Sequence, residues 1–272
     1  MSELFPPTGR RAHRILLIND DGIDAPGLKL LEDEARKITE DVWVVAPDEE
    51  KSGSSHALSM VTPVRLRQID ERRIAVKGTP TDCVLLAIYE LMAERPPTLL
   101  LSGINRGANL AEDVTYSGTA AAAMEGALLG IPSIALSQVF APGGTVPWET
   151  ARRYTLPVLE RLLGCDWERE SFVSVNFPDT PPEGVTGVRV TTQGRRLPGS
   201  FRPMKRIDGR NFPYYWMTLA YRTGVLEPGT DLHAIAENAV SVTPMQLDLT
   251  AHAFGRSLES AMLGIHPAGP DA

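Results

Sequence analysis

Cysteine is scarce in this chain. Cys83 and Cys165 are the only two, and they form neither a CxxC pair nor any other metal-ligand spacing. A disulfide framework and a thiolate-held metal centre are thereby excluded, and a reduced, cytoplasmic protein is the expectation. Long apolar runs are missing too. No stretch reaches the roughly 18 uninterrupted apolar residues of a membrane span, and Met1 to His13 lacks the apolar core of a signal peptide. Runs of positive charge are absent: no Lys/Arg run exceeds two residues, and the net charge is −7. That argues against nucleic acid or an anionic membrane surface as the main partner. It leaves room for a small phosphate ligand, which backbone N–H groups and a metal can hold. There is no internal repeat and no low-complexity block. The glycine-rich fingerprint GxGxxG is absent after the first apolar segment, where a dinucleotide-binding protein would carry it.

What is present suits a globular enzyme. The 272 residues can bury a large core, and 43% hydrophobic with 22% charged is a folded balance. The chain is organised around Ile15-Leu16-Leu17-Ile18-Asn19-Asp20-Asp21-Gly22. Four apolar residues in a row read as a strand buried on both faces. Two adjacent carboxylates then stand at its carboxyl end. They repel and cost solvation energy unless a positive charge sits on them. A hard divalent cation, Mg²⁺ or Mn²⁺, would neutralise them through oxygen ligands. Asn-Asp-Gly clusters also form ordinary turns and caps, so this stretch alone leaves both readings open.

Further along, polar glycine-containing turns repeatedly follow short apolar strands. The spacing predicts a helix after Pro26 and a strand over 42–46, then the loop Ser52-Gly53-Ser54-Ser55-His56. Strands are expected over 61–68 and 73–76, followed by a helix capped by Thr81 or Asp82 and running to Met92. Another strand over 99–101 leads into Ser102-Gly103-Ile104-Asn105-Arg106-Gly107-Ala108-Asn109. Asn105 offers a neutral carbonyl oxygen that suits a hard-metal site already holding two acids. Tyr116-Ser117-Gly118-Thr119 opens an alanine-rich helix, and exposed N–H groups at such an end bind anions. A strand is expected over 131–137, a helix over 148–163 interrupted near Pro157, and a strand over 172–176. Residues 179–230 read as hairpins and long loops outside the main layers, with strands over 188–192 and 214–221. A helix over 232–238 capped near Thr230-Asp231, a strand over 240–242 and a weakly patterned tail after His252 complete the chain. In a parallel sheet the loops after successive strands open at one end. Asp20, Asp21, Ser52, Asn105 and the Ser117–Thr119 helix start would therefore share one mouth.

Taken together, Ile15 to Gly22, Val45-Ala46-Pro47-Asp48, Ser52-Gly53, Gly78-Thr79-Pro80-Thr81-Asp82-Cys83, Ser102 to Asn109 and Tyr116 to Ala120 resemble the survival protein SurE family. The likeness is dense over residues 14–137. It recurs thinly in Val175-Asn176-Phe177-Pro178, Thr230-Asp231 and Ser241-Val242-Thr243-Pro244. The resemblance implies a three-layer, Rossmann-like α/β sandwich with a mainly parallel sheet over 14–252. A smaller hairpin-rich part at about 179–252 would serve oligomerisation, with short tails at 1–13 and 253–272. It implies a metal-dependent phosphatase acting on nucleoside 5′- and 3′-monophosphates and on short polyphosphate, and self-association as a homodimer or homotetramer. Its metal ligands carry over onto Asp20, Asp21, Ser52 and Asn105, with one Mg²⁺ or Mn²⁺ per subunit. Its phosphate contacts carry over onto Asn109, Ser117, Gly118 and Thr119.

The expected chemistry is phosphoryl transfer, in which positioning and charge neutralisation carry most of the catalysis. Asp20 and Asp21 are the candidate catalytic groups. Attack by water and attack by one of the carboxylates both remain open at this point. His56 is a candidate leaving-group acid or a plain loop histidine. His233 reads as a local ion-pair or cap residue, and Cys83 as a buried helix residue rather than a nucleophile. The competing class is a nucleotide-binding sensor or interaction protein that keeps the pocket without turnover.

Overall fold

The computed structural model describes residues 13–196, 201–219 and 226–263. β1 (Ile15–Ile18) has no exposed surface at any of its four residues. Its alternation feeds two cores. Ile15 and Leu17 pack on the side of α1 (Pro26–Ala35), with Leu28 and Leu31. Leu16 and Ile18 pack on the opposite side, with Cys83 and Val84. Two buried faces explain the continuous apolar run, since neither side can carry a polar residue. Cys83 is fully buried, as its helix position suggested.

The chain continues through β2 (Val42–Pro47), the antiparallel pair β3 (Arg65–Asp70) and β4 (Arg73–Lys77), and α2 (Pro80–Leu86). The first strand of that pair begins at Arg65, not near residue 61. The cap of α2 is Thr79, not Thr81 or Asp82. Its hydroxyl accepts from the Asp82 N–H (3.1 Å) while Asp82 accepts from the Thr79 N–H (2.8 Å). Pro80 fits as the first helical residue because it has no N–H to leave unsatisfied. The helix then widens into a π turn over Ala87–Leu91 before Met92.

β5 (Leu99–Arg106) runs on through Asn105, so that residue ends a strand rather than sitting in the following turn. Its register against β6 (Ser133–Gln138) shifts between Ser102 and Asn105. A 3₁₀ turn at Ala111–Thr115 precedes α3 (Gly118–Leu128). α4 (Trp148–Leu162) is continuous through Pro157, against the expected interruption, and β7 is Ser171–Phe177. β8 (Gly187–Val190) pairs in parallel with β11 (Ala239–Gln246), so it belongs to the main sheet rather than outside it. Between them come the separate hairpin β9 (Phe201–Ile207) and β10 (Pro213–Leu219), then α5 (Asp231–Ala236). The last two residues of the strand expected over 214–221 lie outside the described residues, as does most of the expected N-terminal tail. α6 (His252–Met262) forms where the sequence looked weakly patterned. Its apolar residues Phe254, Leu258 and Met262 recur every fourth position and are exposed, so no core marks the helix.

The nine-stranded sheet has the order β3-β4-β2-β1-β5-β6-β7-β11-β8. Its central six strands, β4 to β7, are parallel. α1 and α4 cover one face and α2 and α3 the other. α1 sits unusually close to β5: a Cβ on Gly27 would come within 1.9 Å of the Ile104 carbonyl oxygen. Among the described residues no helix is long and apolar enough to cross a membrane.

Candidate active site

From β1 the chain runs outward to β2 and β4, then returns to the other side of β1 as β5. A crevice opens at such a reversal, outside the carboxyl ends of the strands, and ligands bind there in open α/β sheets. The Asp20-Asp21 pair follows β1 at this point, and Asn105 lies at the end of β5.

Asp20 is buried, and the start of α3 lies directly on it. The Thr119 hydroxyl donates a hydrogen bond to Asp20 Oδ1. A Cβ on Gly118 would lie 2.8 Å from Asp20 Cβ and 3.0 Å from its Oδ2. Ser117 caps the helix, its hydroxyl accepting from the Ala120 N–H at 3.0 Å. Gly118 is thus required by close approach. Gly118→Ala is expected to cost about 1–3 kcal/mol through overpacking against the carboxylate, measured as a drop in urea midpoint. An unchanged midpoint would mean that the helix start can withdraw from Asp20 freely.

Asp21 accepts from the Arg106 backbone N–H at 3.0 Å, which brings the residue after Asn105 against the acid pair. The Ser52 loop arrives through its own backbone: Lys51 N–H donates to the Asp20 carbonyl at 2.7 Å. Ser55 then ties this loop to the α3 approach, its N–H to Tyr116 O (3.2 Å) and its hydroxyl to Thr115 O (2.7 Å). Asp20, Asp21, Gly118, Thr119 and the loops bearing Ser52 and Asn105 are therefore in one place. The Ser52 hydroxyl itself is exposed and donates to Glu50 Oε1 at 2.7 Å.

The electrostatics follow from burial. Desolvation pushes the Asp20 carboxyl from its ordinary 3.8 up to about 6, against the Thr119 hydrogen bond and with the Asp21 charge adding. Desolvation also raises Asp21, opposed by the Arg106 N–H and reinforced by Glu50. Both acids resist ionisation as they stand, and a positive ligand would reverse that.

Asn109 is buried at the carboxyl ends of β6 and β7, where its hydrogen bonds go to those strands and not to the acid pair. Its Nδ2 donates to Ser137 Oγ (2.8 Å), its N–H to Asn176 Oδ1 (2.9 Å), and Asn176 Nδ2 donates to its carbonyl (3.1 Å). Ser137, Asn176 and Arg106 were not singled out from sequence. Buried polar residues at the ends of otherwise apolar strands were the available signal, and Asn176 stood in plain view between Val175 and Phe177. His56 is placed away from the acids. It pairs with Glu125 at 2.8 Å, six residues past Thr119 and so about 9 Å further along the helix. His233 is local: Thr230 caps α5 by accepting from the His233 N–H, and the imidazole lies 3.7 Å from Glu237.

Comparison with known proteins agrees with this fold. The model of the family described as survival protein SurE matches residues 15–199. The chain belongs to the SurE family. A 5′-nucleotidase SurE of Parvibaculum lavamentivorans is 49% identical over 257 residues, covering 94% of this chain and 93% of that protein. A 5′-nucleotidase SurE of Methylobacterium sp. (strain 4-46) is 53% identical over 241 residues, covering 87% and 94%. The crystal structure of the SurE protein from Aquifex aeolicus matches with TM-score 0.78 and 37% identity, covering 91% of this chain and 99% of that one. The SurE-matched segment contains every candidate ligand and phosphate contact named above.

A divalent cation fits these residues. Among the described residues no three His, Cys, Asp or Glu side chains gather as a metal cluster, so a cation here must be held by two acids and neutral oxygens. That donor set suits a hard ion such as Mg²⁺ or Mn²⁺. The amide oxygen of Asn19, next to the pair, is buried without a hydrogen-bond partner, and its Nδ2 is already committed to Gly22 O at 2.8 Å. An acceptor left in that state is suited to a cation rather than to a further acceptor.

Proposed function

We propose that this chain is a divalent-metal-dependent phosphomonoesterase that hydrolyses nucleoside 5′-monophosphates to nucleoside and phosphate. The observation that supports it most is the contact between a desolvated acid pair and a helix start at the switch point of the sheet. Anion-binding N–H groups and cation-binding carboxylates there lie within one side chain of each other. The names of the SurE relatives point to the same reaction. Activity on 3′-monophosphates and on short polyphosphate belongs to the same reading, as does a cytoplasmic location.

In this reading Asp20, Asp21, Ser52 and Asn105 hold one Mg²⁺ or Mn²⁺. When bound, such an ion neutralises the acids and draws electron density from the phosphate ester. The chain's own groups do the positioning. Thr119 fixes the rotamer of Asp20, and the Arg106 N–H fixes that of Asp21. Gly118 admits the phosphate-facing helix start, with Ser117 as its cap. Asn109 is held by Ser137 and Asn176 at the carboxyl ends of β6 and β7. These contacts lower the cost of reorganisation as charge develops on the phosphoryl oxygens.

Self-association as a dimer or tetramer is part of the proposal. Tyr214, Tyr215, Trp216 and Met217 stand exposed on one hairpin strand, and Phe254, Leu258 and Met262 on α6. Apolar groups concentrated like this on an otherwise polar surface are suited to burial against another copy.

The deciding experiment measures phosphate release from AMP, GMP, a 3′-monophosphate and tripolyphosphate, with Mn²⁺, Mg²⁺ or EDTA. Release from AMP that needs the metal supports the reading. Tight AMP binding without release would favour the sensor alternative. Ser52→Ala and Asn105→Ala are expected to raise the Mn²⁺ concentration for half-maximal activity by about tenfold or more, with activity returning at high metal. No recovery at any metal concentration would remove these two residues from the ligand set.

A further inference from the structure

Two arginines stack on aromatic rings among the described residues, and they differ in one respect. Arg14 lies over Trp43 (5.8 Å to the ring centre), but its guanidinium also binds Asp41 at 2.8 Å and the Arg95 carbonyl at 2.6 Å. Arg106 lies over Phe140 (5.3 Å to the ring centre). Among the described residues its guanidinium has no ion pair and no side-chain hydrogen bond. The residue is exposed, and its backbone N–H is the one that binds Asp21. An exposed guanidinium without a hydrogen-bonded partner among the described residues therefore stands beside the acid pair, its charge acting on Asp21 and one face on a ring.

The pair is held from below. Arg106 lies opposite Gln138 in the β5–β6 register, and Phe140 follows two residues later. The Gly107 N–H donates to the Gln138 carbonyl at 3.0 Å and Val139 N–H to Phe177 O at 3.0 Å. Past the ring, Ala141 N–H donates to Asp179 Oδ2 at 2.8 Å. Phe140 is half-buried, and Arg106 and the mostly small residues Ala141 to Thr145 are exposed, so among the described residues the stack lies at the surface. An extended arginine carries its guanidinium from the backbone about as far as a ribose carries a base from its phosphate. A planar cation backed by a ring is a stacking surface for a nucleobase, whose π-face it attracts without reading hydrogen bonds.

We propose that Arg106 and Phe140 form the platform on which the base of a nucleotide stacks, so that the site prefers nucleotides to base-free phosphomonoesters. The proposal rests on the nucleotidase reading and names how that site recognises its substrate. It predicts weak discrimination between adenine and guanine, because stacking is tolerant of base identity.

Arg106→Lys keeps the charge and loses the plane, while Phe140→Leu keeps an apolar contact and loses the ring. In each, kcat/KM for AMP relative to ribose 5-phosphate is expected to fall by about tenfold, mainly through KM. The inhibition constant of adenosine against ribose 5-phosphate hydrolysis should rise by a similar factor. A ratio unchanged within roughly twofold in both variants overturns the platform, whether the two activities persist or fall together; a joint fall would place the guanidinium on the phosphate. A wild-type protein that hydrolyses both substrates equally and ignores adenosine also overturns it, yet leaves a phosphatase. A wild-type protein that releases phosphate from neither removes the nucleotidase reading and the platform with it.

Discussion

Replacing Asp20 or Asp21 by asparagine is expected to leave a folded chain that has lost phosphomonoesterase activity by about a thousandfold or more. Asparagine matches aspartate in shape. At position 20 its amide oxygen can still accept from Thr119, and at position 21 from the Arg106 N–H. What disappears is one negative charge at the place where the sheet reverses order. Asp20 and Asp21 are the two acids proposed to hold the cation, so removing one charge of the pair weakens the binding of the ion and leaves phosphate without its counterweight. The check is kcat with AMP at saturating Mn²⁺, beside Mn²⁺ binding by calorimetry and an unchanged circular dichroism spectrum. Full activity in either variant with metal present would refute the assignment of that residue.

The acid pair was legible in the sequence because it violates a local rule. Adjacent carboxylates after a doubly buried strand are unfavourable unless something compensates them, and the structure makes them more so by burial. The parallel sheet was legible for a related reason: β1, β2 and the start of β5 are apolar runs, and each leads into a polar turn. Other features were hidden by their physics. The α3 contact with Asp20 bridges residues 99 apart, and no spacing rule reports a pairing between a strand end and a distant helix cap. α6 was hidden because its apolar stripe faces no core in a single chain. β8 was legible as a strand, but its place in the main sheet was not, because Val188 and Val190 are exposed at the sheet edge and carry no sign of a core. Thr79 was passed over as a cap because Thr81 and Asp82 are equally good capping residues, and Pro80 was the clue that placed the helix start one residue after it.

The burial of Asp20 should make the metal-free chain pH-sensitive, in a direction opposite to ordinary surface acids. Folding carries its carboxyl from 3.8 to about 6. Between those values the folded chain binds more protons than the unfolded one, so stability falls as pH rises. That stability is fully present below about pH 4 and is lost through pH 6, a loss of roughly 3 kcal/mol by pH 7. Asp21 is shifted the same way. Asp41 and Asp82, held low by Arg14 and by the Ser59 and Thr79 groups respectively, act in the opposite sense. The quantity to measure is therefore the difference between wild type and Asp20→Asn. In EDTA the asparagine variant should match wild type near pH 4 and exceed it by about 2–3 kcal/mol at pH 7 in urea unfolding. Millimolar Mn²⁺ should close or reverse the gap, because an ion that binds only the folded wild type stabilises it by about 2.7 kcal/mol at a hundredfold excess over its dissociation constant. A difference that is flat with pH, or that survives saturating Mn²⁺, would show that the carboxylate is not the destabilised group. If the gap behaves as described, the charge that destabilises the empty fold is the same charge that binds the ion, and activity has been kept at the expense of stability.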